Sequence, residues 1–256
     1  MKISKPVVST LAILLVAALE GCGGGGGGTT VAATTTVASP QGVYQGGFSN
    51  GGTHNTLILE NDQFYTLYGS TVAGVFTVSG FLQGNGNASG GNLTATDVKD
   101  ATVDGQLLSG SLSATYAANG SLNGTLTEGS NTVNFSGTTV ASSVYDYNKS
   151  ASLADIAGAW NMTSLRGYAN TFNIAASGAF TATSGACSFS GTFTPRSSGK
   201  NVFDVAMTFG PAPCILAGQT LAGIGIDFML ANGKRQLLIA GLNQGRTSSA
   251  AFFGTR

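Results

Sequence analysis

The stretch LLSGSLSATYAANGSLNGTLTEGSNTVNFSG, which covers residues 107–137, decides the fold class of this chain. At its start, every second residue falls on one face of an extended backbone, and that face is mainly apolar. The residues on this face are Leu108, Gly110, Leu112, Ala114 and Tyr116. Asn119-Gly120 follows, and both residues tolerate the positive φ angles of a two-residue hairpin turn. The stretch therefore predicts antiparallel strands joined by tight turns.

The same pattern extends in both directions, from residue 42 to the C-terminus. The chain has 39 glycines and only 9% charged residues, and its short apolar segments alternate with turns such as Asn232-Gly233. We expect an all-β protein with two tandem antiparallel β domains of about eight strands each, at residues 41–140 and 153–256. Residues 141–152 are predicted as a linker, and Ser152–Ala157 is compatible with one helical turn. Both an up-and-down barrel and a sandwich fit this pattern.

The two halves resemble each other in sequence. Gly42-Val43-Tyr44 opens the first half and Gly158-Ala159-Trp160 opens the second. Asn55-Thr56-Leu57 is echoed by Asn170-Thr171-Phe172. An internal duplication explains this repeat, and a shared composition rich in Gly, Thr and Asn explains it as well.

The N-terminus has the pattern of an export signal. Lys2 and Lys5 precede an apolar run at Val7–Ala18, which is too short to span a bilayer and has the length of a signal-peptide core. Leu19-Glu20-Gly21-Cys22 resembles the lipobox of bacterial lipoproteins, although Glu20 stands where that family usually has a small uncharged residue. The resemblance implies that residues 1–21 are removed and that Cys22 is acylated, for example with palmitate. The alternative is an ordinary signal peptide cut near Gly21.

Residues 22–40 predict a flexible tether, because Gly23–Gly28 and Thr29–Pro40 carry no charge. A tether is useful when its start is held, which favours lipidation of Cys22. In the lipoprotein family an Asp after the cysteine commonly favours retention at the inner membrane, and Gly23 stands at that position here. The resemblance therefore implies a lipid-anchored protein of the bacterial cell envelope, at the outer membrane rather than the inner one.

The charge balance argues against a nucleic-acid partner. Residues 1–21 hold Lys2, Lys5 and Glu20, so nine of the 11 basic and ten of the 11 acidic residues remain in the mature chain. The largest basic cluster is the pair Lys234-Arg235. Such a chain has no field that attracts nucleic acid or anionic lipid.

Trp160 and Arg246 give the second domain a resemblance to the calycin family, which includes the lipocalins. The tryptophan lies in Gly158-Ala159-Trp160 on a first strand, and the arginine precedes the last strand. In that family the tryptophan closes one barrel end and the arginine packs over it. The resemblance covers only these positions, and a plain core tryptophan is the alternative.

Cys187 and Cys214 form a pair once Cys22 is assigned to lipid. Export to an oxidising compartment permits a disulfide between them, across what the pattern predicts as neighbouring strands. A metal or redox pair is the alternative, but neither a CxxC spacing nor a nearby histidine supports it.

Catalytic residues are scarce. The single histidine, His54, lies in a predicted loop, and Gly47-Phe48-Ser49-Asn50-Gly51 matches the G-x-S-x-G pattern. That motif requires a strand, the serine and then a helix, whereas here a turn and a strand follow. We therefore expect no enzyme, no catalytic residue and no cofactor. No complete phosphate-binding loop is present either.

Carboxylates offer two weaker candidates. Asp97, Asp100 and Asp104 could hold calcium, but their spacing does not fit an EF-hand, and a solvated turn is the preferred explanation. We expect no metal site. Asp227 lies in an apolar run, where a buried carboxylate must be paired or protonated. It is predicted to pair with Arg235 across the hairpin, or else to contact a ligand inside a barrel.

Two functions fit these expectations. The first is a membrane-anchored binding or envelope-structural module with an unknown protein partner. The second is a carrier of a small apolar ligand inside a calycin-like barrel, which predicts an interior cavity lined by Phe, Tyr and Met.

Overall fold

The computed structural model describes residues 38–72, 75–230 and 232–256. The predicted signal peptide, Cys22 and the tether up to residue 37 lie outside these residues and stay predictions. Within the described ranges, no helix has both the length and the apolar character needed to cross a membrane.

The first half of the chain forms a closed antiparallel barrel. Eight strands follow one another in an up-and-down order, and pairing of β1 with β9 and of β4 with β6 completes the ring. The short β5 is an additional strand that pairs with the start of β6. The strands are β1 (Gly42–Phe48), β2 (Thr53–Ile58), β3 (Gln63–Val72), β4 (Val75–Asn85), β5 (Asn87–Ser89), β6 (Asn92–Thr102), β7 (Leu107–Tyr116), β8 (Ser121–Glu128) and β9 (Asn131–Thr139).

The second half forms another closed barrel of eight antiparallel strands. A single helical turn, α1 (Leu153–Ile156), precedes it, as Ser152–Ala157 predicted. The pairing of β10 with β17 closes the ring. The strands are β10 (Gly158–Ser164), β11 (Ala169–Ile174), β12 (Ala179–Ser184), β13 (Cys187–Pro195), β14 (Phe203–Phe209), β15 (Thr220–Met229), β16 (Arg235–Asn243) and β17 (Ser249–Thr255).

The all-β prediction is confirmed, and of its two architectures the barrel is the one formed. Alternation makes this possible: in β14 every second residue is buried, starting at Phe203 and ending at Phe209. The hairpin at Asn119-Gly120 differs in detail. Ala117 donates its amide to the Ser121 carbonyl at 2.9 Å, and only Asn119 has a positive φ, of 53°. Three residues, rather than two, therefore lie between the hydrogen-bonded Ala117 and Ser121.

The two barrels belong to one compact unit and pack against each other. Phe81 and Ala101 of the first barrel share a buried cluster with Leu165 of the second. Tyr145 and Tyr147, in the segment predicted as a linker, are buried in another shared cluster. This segment is therefore packed between the barrels.

Two arginines of the second barrel reach across to the first. Arg246 donates hydrogen bonds to the side chain of Gln83 and to the backbone carbonyls of Gln83 and Asp97. The Nε of Arg196 lies 2.8 Å from the Glu60 carboxylate, and its Nη1 lies 2.5 Å from Asp204. Hydrogen bonds from a charged donor are stronger than neutral ones, so these contacts help to fix the relative position of the barrels.

Candidate functional site

The interior of the first barrel is filled by its own side chains. Phe64, Leu93 and Leu122 are almost completely buried there. The free space beside them is about 10 Å³, which has no room for a small-molecule ligand.

The second barrel is filled mainly by phenylalanines. Phe172, Phe193 and Phe203 are fully buried in its core. Towards one end, the ring of Phe189 stacks on Phe209 with centroids 4.8 Å apart and on Phe252 with centroids 5.5 Å apart. The free space in this barrel lies at that end. The carrier hypothesis predicted a Phe-lined cavity inside a barrel, and among the described residues such a cavity lies at the mouth of the second barrel.

This mouth cavity has a volume of about 260 Å³, and Phe189, Phe209 and Phe252 line its inner side. The loop of residues 210–219 forms one wall, to which Pro213, Ile215 and Leu216 contribute. Ser184, Cys187 and Ala250 also line it.

A disulfide between Cys187 and Cys214 fastens the 210–219 loop, with their Cα atoms 4.6 Å apart. The predicted pairing is thus present in the structure. The prediction that Cys214 lies on a strand is wrong, because it belongs to the loop between β14 and β15. The Gly210 amide donates to the Ser188 carbonyl at 2.9 Å and adds a second attachment.

The opposite wall comes from both barrels. The turn between β10 and β11 contributes Leu165, Arg166 and Tyr168, and the first barrel contributes Thr102 and Gly105. The Leu165 amide donates to the Ala251 carbonyl at 2.8 Å, which fixes the turn against β17. The cavity is therefore complete only when the two barrels are packed together.

Arg166 is held at the rim by the first barrel. Its Nη2 donates to the Gly105 carbonyl at 3.0 Å. Gly105 has a φ of 88°, and a Cβ there would lie 2.5 Å from the guanidinium carbon of Arg166. Only glycine permits both this backbone conformation and this close approach.

The rest of the rim carries both polar and apolar groups. Asn170 lines the cavity with only 5% of its surface exposed, and its amide donates to the Tyr168 carbonyl at 2.6 Å. Tyr168 and Ile215 are 53% and 63% exposed, which is unusual for large apolar side chains in this chain. An apolar pocket with a few converging polar groups has the general character of a small-molecule site.

A second, larger cleft of about 750 Å³ lies between the outer faces of the barrels. Leu67, Tyr145, Phe228 and Phe253 are among its apolar residues, and none of its described lining residues is charged. Val144 lines this cleft with 59% of its surface exposed.

The three aspartates proposed for calcium do not converge on one point. Asp97 accepts hydrogen bonds from the backbone amide and side chain of Asn85, whereas Asp104 accepts from Thr102 and Gln106. Asp100 faces the interior of the first barrel and contacts Tyr68. The described residues contain no cluster of three or more His, Cys, Asp or Glu side chains suited to a metal.

His54 lies in β2 rather than in the predicted loop, and it is buried. Its ring nitrogens contact the Thr56 hydroxyl at 3.0 Å and the Ser136 carbonyl at 3.1 Å. Burial lowers the pKa of His54 below its ordinary value. The Ser49 hydroxyl accepts a hydrogen bond from the Asn134 amide at 3.2 Å. The two residues thus have separate partners and do not form a nucleophile–base pair among the described residues.

Trp160 closes the end of the second barrel opposite to the cavity. Its indole N–H donates to the Ile156 carbonyl at 2.7 Å. The arginine that packs over it is Arg256, whose guanidinium carbon is 4.3 Å from the ring centre. The calycin resemblance implied Arg246 for this role, which is wrong because Arg246 points to the first barrel.

Asp227 pairs with Arg235, as predicted for the hairpin between β15 and β16. Arg235 also contacts Asp155 at 3.2 Å. Burial raises the pKa of Asp227, against the lowering effect of the Arg235 hydrogen bond. The pair contacts no part of the mouth cavity, so the alternative role for Asp227 as a ligand contact in a barrel is not supported.

The residues of the mouth cavity were missed by sequence reasoning. One signal was present: phenylalanines recur through the second half, at positions such as 172, 180, 189, 193, 203 and 209, and indicate an aromatic barrel interior. The contribution of Arg166 had no such signal, because Gly105 lies 61 residues away from it in the chain.

The fold and site define a class of protein with two tandem up-and-down barrels. Solved structures show a weak similarity to it. A protein of unknown function from the DUF3598 family of Nostoc punctiforme PCC 73102 is 14% identical, with a TM-score of 0.28, and the match covers 84% of this chain and 94% of that chain.

The vaccine antigen transferrin binding protein B of Haemophilus parasuis Hp5 is 8% identical, with a TM-score of 0.27 and coverage of 83% of this chain and 66% of that chain. Transferrin binding protein B of serogroup B Neisseria meningitidis is 11% identical, with a TM-score of 0.23 and coverage of 80% of this chain and 58% of that chain. The sequence matches no protein-family model and no curated protein. At these levels of similarity, any function of this chain has to follow from its own residues.

Proposed function

We propose that this chain is a lipid-anchored binding protein of the bacterial cell envelope, without enzymatic activity, that takes a small apolar ligand in the mouth cavity of the second barrel. The observation that carries the proposal is the cavity itself. Its aromatic inner side and its converging polar rim have the composition of a ligand site.

The size of the cavity limits the ligand. Sites for drug-sized molecules usually measure roughly 300–1,000 Å³, and this cavity, at about 260 Å³, is smaller. A molecule of one or two fused rings suits it better than a long lipid.

The anchor is supported by the sequence alone. The lipobox-like Leu19-Glu20-Gly21-Cys22 and the uncharged stretch after it suit a domain held at a distance from a membrane. Two or more acyl chains on Cys22 would give a stable anchor, whereas one chain gives only marginal binding. Gly23 favours the outer membrane.

A neutral fluorescent probe, 1-naphthol, tests the proposed site. We expect saturable binding with one site per chain, weakened in Ala250→Leu, because Ala250 lines the cavity and its larger replacement occupies part of it. Ala206→Leu is the matched control, since Ala206 is exposed on the outer face of the same barrel. Absence of saturable binding, or equal binding by both variants, would contradict the proposal.

The cleft between the barrels favours a second candidate function, which is the docking of an apolar segment of a partner protein. Its larger volume and uncharged lining suit an extended apolar peptide. A photo-crosslinking residue at Val144, on the cleft, should give a defined adduct in intact cells, and one at the exposed Lys234 should not. Equal labelling from both positions would reject this function.

A further inference from the structure

We infer that the mouth cavity is selective for a small aromatic acid, whose ring lies against the phenylalanines and whose carboxylate pairs with Arg166. The inference rests on the proposed function of this site. It adds the charge of the ligand and names Arg166 as the residue that binds the charged group.

The charge balance of the cavity points to an anion. Among its described lining residues, Arg166 is the only charged side chain. Asp104 precedes Gly105 in the chain, but its carboxylate oxygens accept hydrogen bonds from Thr102 and Gln106. Arg166 forms no ion pair with a carboxylate in the described part of the chain. The rim of the cavity therefore carries one positive charge that has no ion-pair partner within 4.0 Å among the described residues, while the Asp104 carboxylate beyond Gly105 stays negatively charged.

Arg166 is also positioned before a ligand arrives. The guanidinium packs against Gly105, and of its nitrogens only Nη2 has a hydrogen-bond partner among the described residues. Arg166 is exposed, and this one hydrogen bond holds its guanidinium at the rim. An arginine fork presents two parallel N–H groups to a carboxylate, so the guanidinium offers geometry as well as charge. Because Gly105 belongs to the first barrel, that barrel takes part in recognition by the second.

The inner side of the cavity favours a flat ring. The rings of Phe189 and Phe209 are inclined by 20°, and those of Phe189 and Phe252 by 22°, so three nearly parallel aromatic side chains lie together. Aromatic pairs prefer offset stacking or edge contacts, and these three rings line the cavity that a ligand ring would enter. Asn170 offers one further polar contact from a buried position.

Calorimetric titration with 1-naphthoate and with neutral 1-naphthamide tests the inference on the purified protein. The two probes share their ring and differ in charge. We expect the protein to bind the acid roughly two- to fivefold more tightly, which is the usual contribution of an ion pair with an exposed arginine. Arg166→Gln should lower the affinity for the acid to that for the amide and leave amide binding unchanged.

Two further variants separate charge from position. Lys234→Gln removes the same charge from the β15–β16 turn, and it should keep the full preference for the acid. Gly105→Ala displaces the guanidinium while leaving the phenylalanines in place, and it should reduce the preference.

Each other outcome has one meaning. Equal binding of acid and amide by the unmodified protein overturns the inference but leaves the proposed function intact. A preference that survives Arg166→Gln overturns it as well, because another group would then read the charge. Failure of both probes to bind contradicts the proposed function itself.

Discussion

The hydroxyl oxygen of Tyr68 lies 2.8 and 2.9 Å from the two carboxyl oxygens of Asp100, inside the first barrel. Burial raises the pKa of Asp100 to about 7, the Glu128 carboxyl adds to this rise, and the Tyr68 hydrogen bond opposes it. The folded protein therefore keeps Asp100 protonated at a pH where the unfolded chain has lost that proton.

A raised pKa of this kind gives a definite pH dependence. The contribution of Asp100 to stability is fully present below the ordinary aspartate pKa of about 4 and is lost as the pH rises through about 7. Asp100→Asn should remove this loss. The free energy of unfolding of the variant, relative to that of the unmodified protein, should therefore increase between pH 5 and pH 8. Urea unfolding at the two pH values measures it. The same change at the exposed Asp146 should give no such growth, and a constant difference for Asp100→Asn would contradict the prediction.

Arg256 should stabilise the closed end of the second barrel. It lies over the Trp160 ring and donates to the backbone carbonyls of Asp155 and Ala157 at 2.9 and 2.8 Å. Arg256→Leu should lower the free energy of unfolding by about 0.5–1 kcal/mol, mainly through loss of the cation–π contact of this exposed arginine. It should also change the fluorescence of Trp160, the single tryptophan. Arg246→Leu should leave that fluorescence unchanged, and the reverse result would restore the role implied for Arg246.

The disulfide should contribute to both stability and ligand binding. Cys187 and Cys214 are 27 residues apart, and closing a loop of that length stabilises a protein by roughly 3 kcal/mol in the chain-entropy model. The double variant Cys187→Ala, Cys214→Ala should therefore unfold at lower urea concentration. Its affinity for 1-naphthol should fall, because the 210–219 loop loses its covalent attachment beside the cavity. Unchanged affinity would mean that backbone hydrogen bonds alone hold this wall.

Cys22→Ser tests the proposed anchor. The variant should carry no acyl label and should move from the membrane fraction to the soluble fraction of the cell. A charge-neutral change in the tether, Ser39→Thr, should leave the distribution unchanged. If the unmodified protein is already soluble and unlabelled, Cys22 is not lipidated.

Local features of the fold followed from the sequence, and distant ones did not. Alternation around Leu112 and Tyr116 identifies a strand because it depends on neighbouring residues alone. The pair Asp227–Arg235 could be predicted because a hairpin brings its two strands together. Pairing of β10 with β17 joins segments almost a hundred residues apart, and no local pattern distinguishes this closure from a sandwich.

The candidate site shows the same limit more strongly. Pro213, Arg166 and Gly105 come from three separate turns that meet only after both barrels have formed and packed. Whether Arg246 or Arg256 packs over Trp160 also depended on where the β16–β17 turn and the residue after β17 point. Arg246 has a φ of 52°, a left-handed conformation that the neighbouring sequence does not predict.

The closure of both barrels affects how copies of this protein interact at high local concentration. If Cys22 anchors the chain as proposed, its copies meet at high local concentration, and an open sheet edge would then act as a template for strand addition between molecules. Within the described ranges, β5 is the strand that pairs on one side alone, and it is three residues long. Dense arrays of this protein should therefore remain free of intermolecular β-sheet.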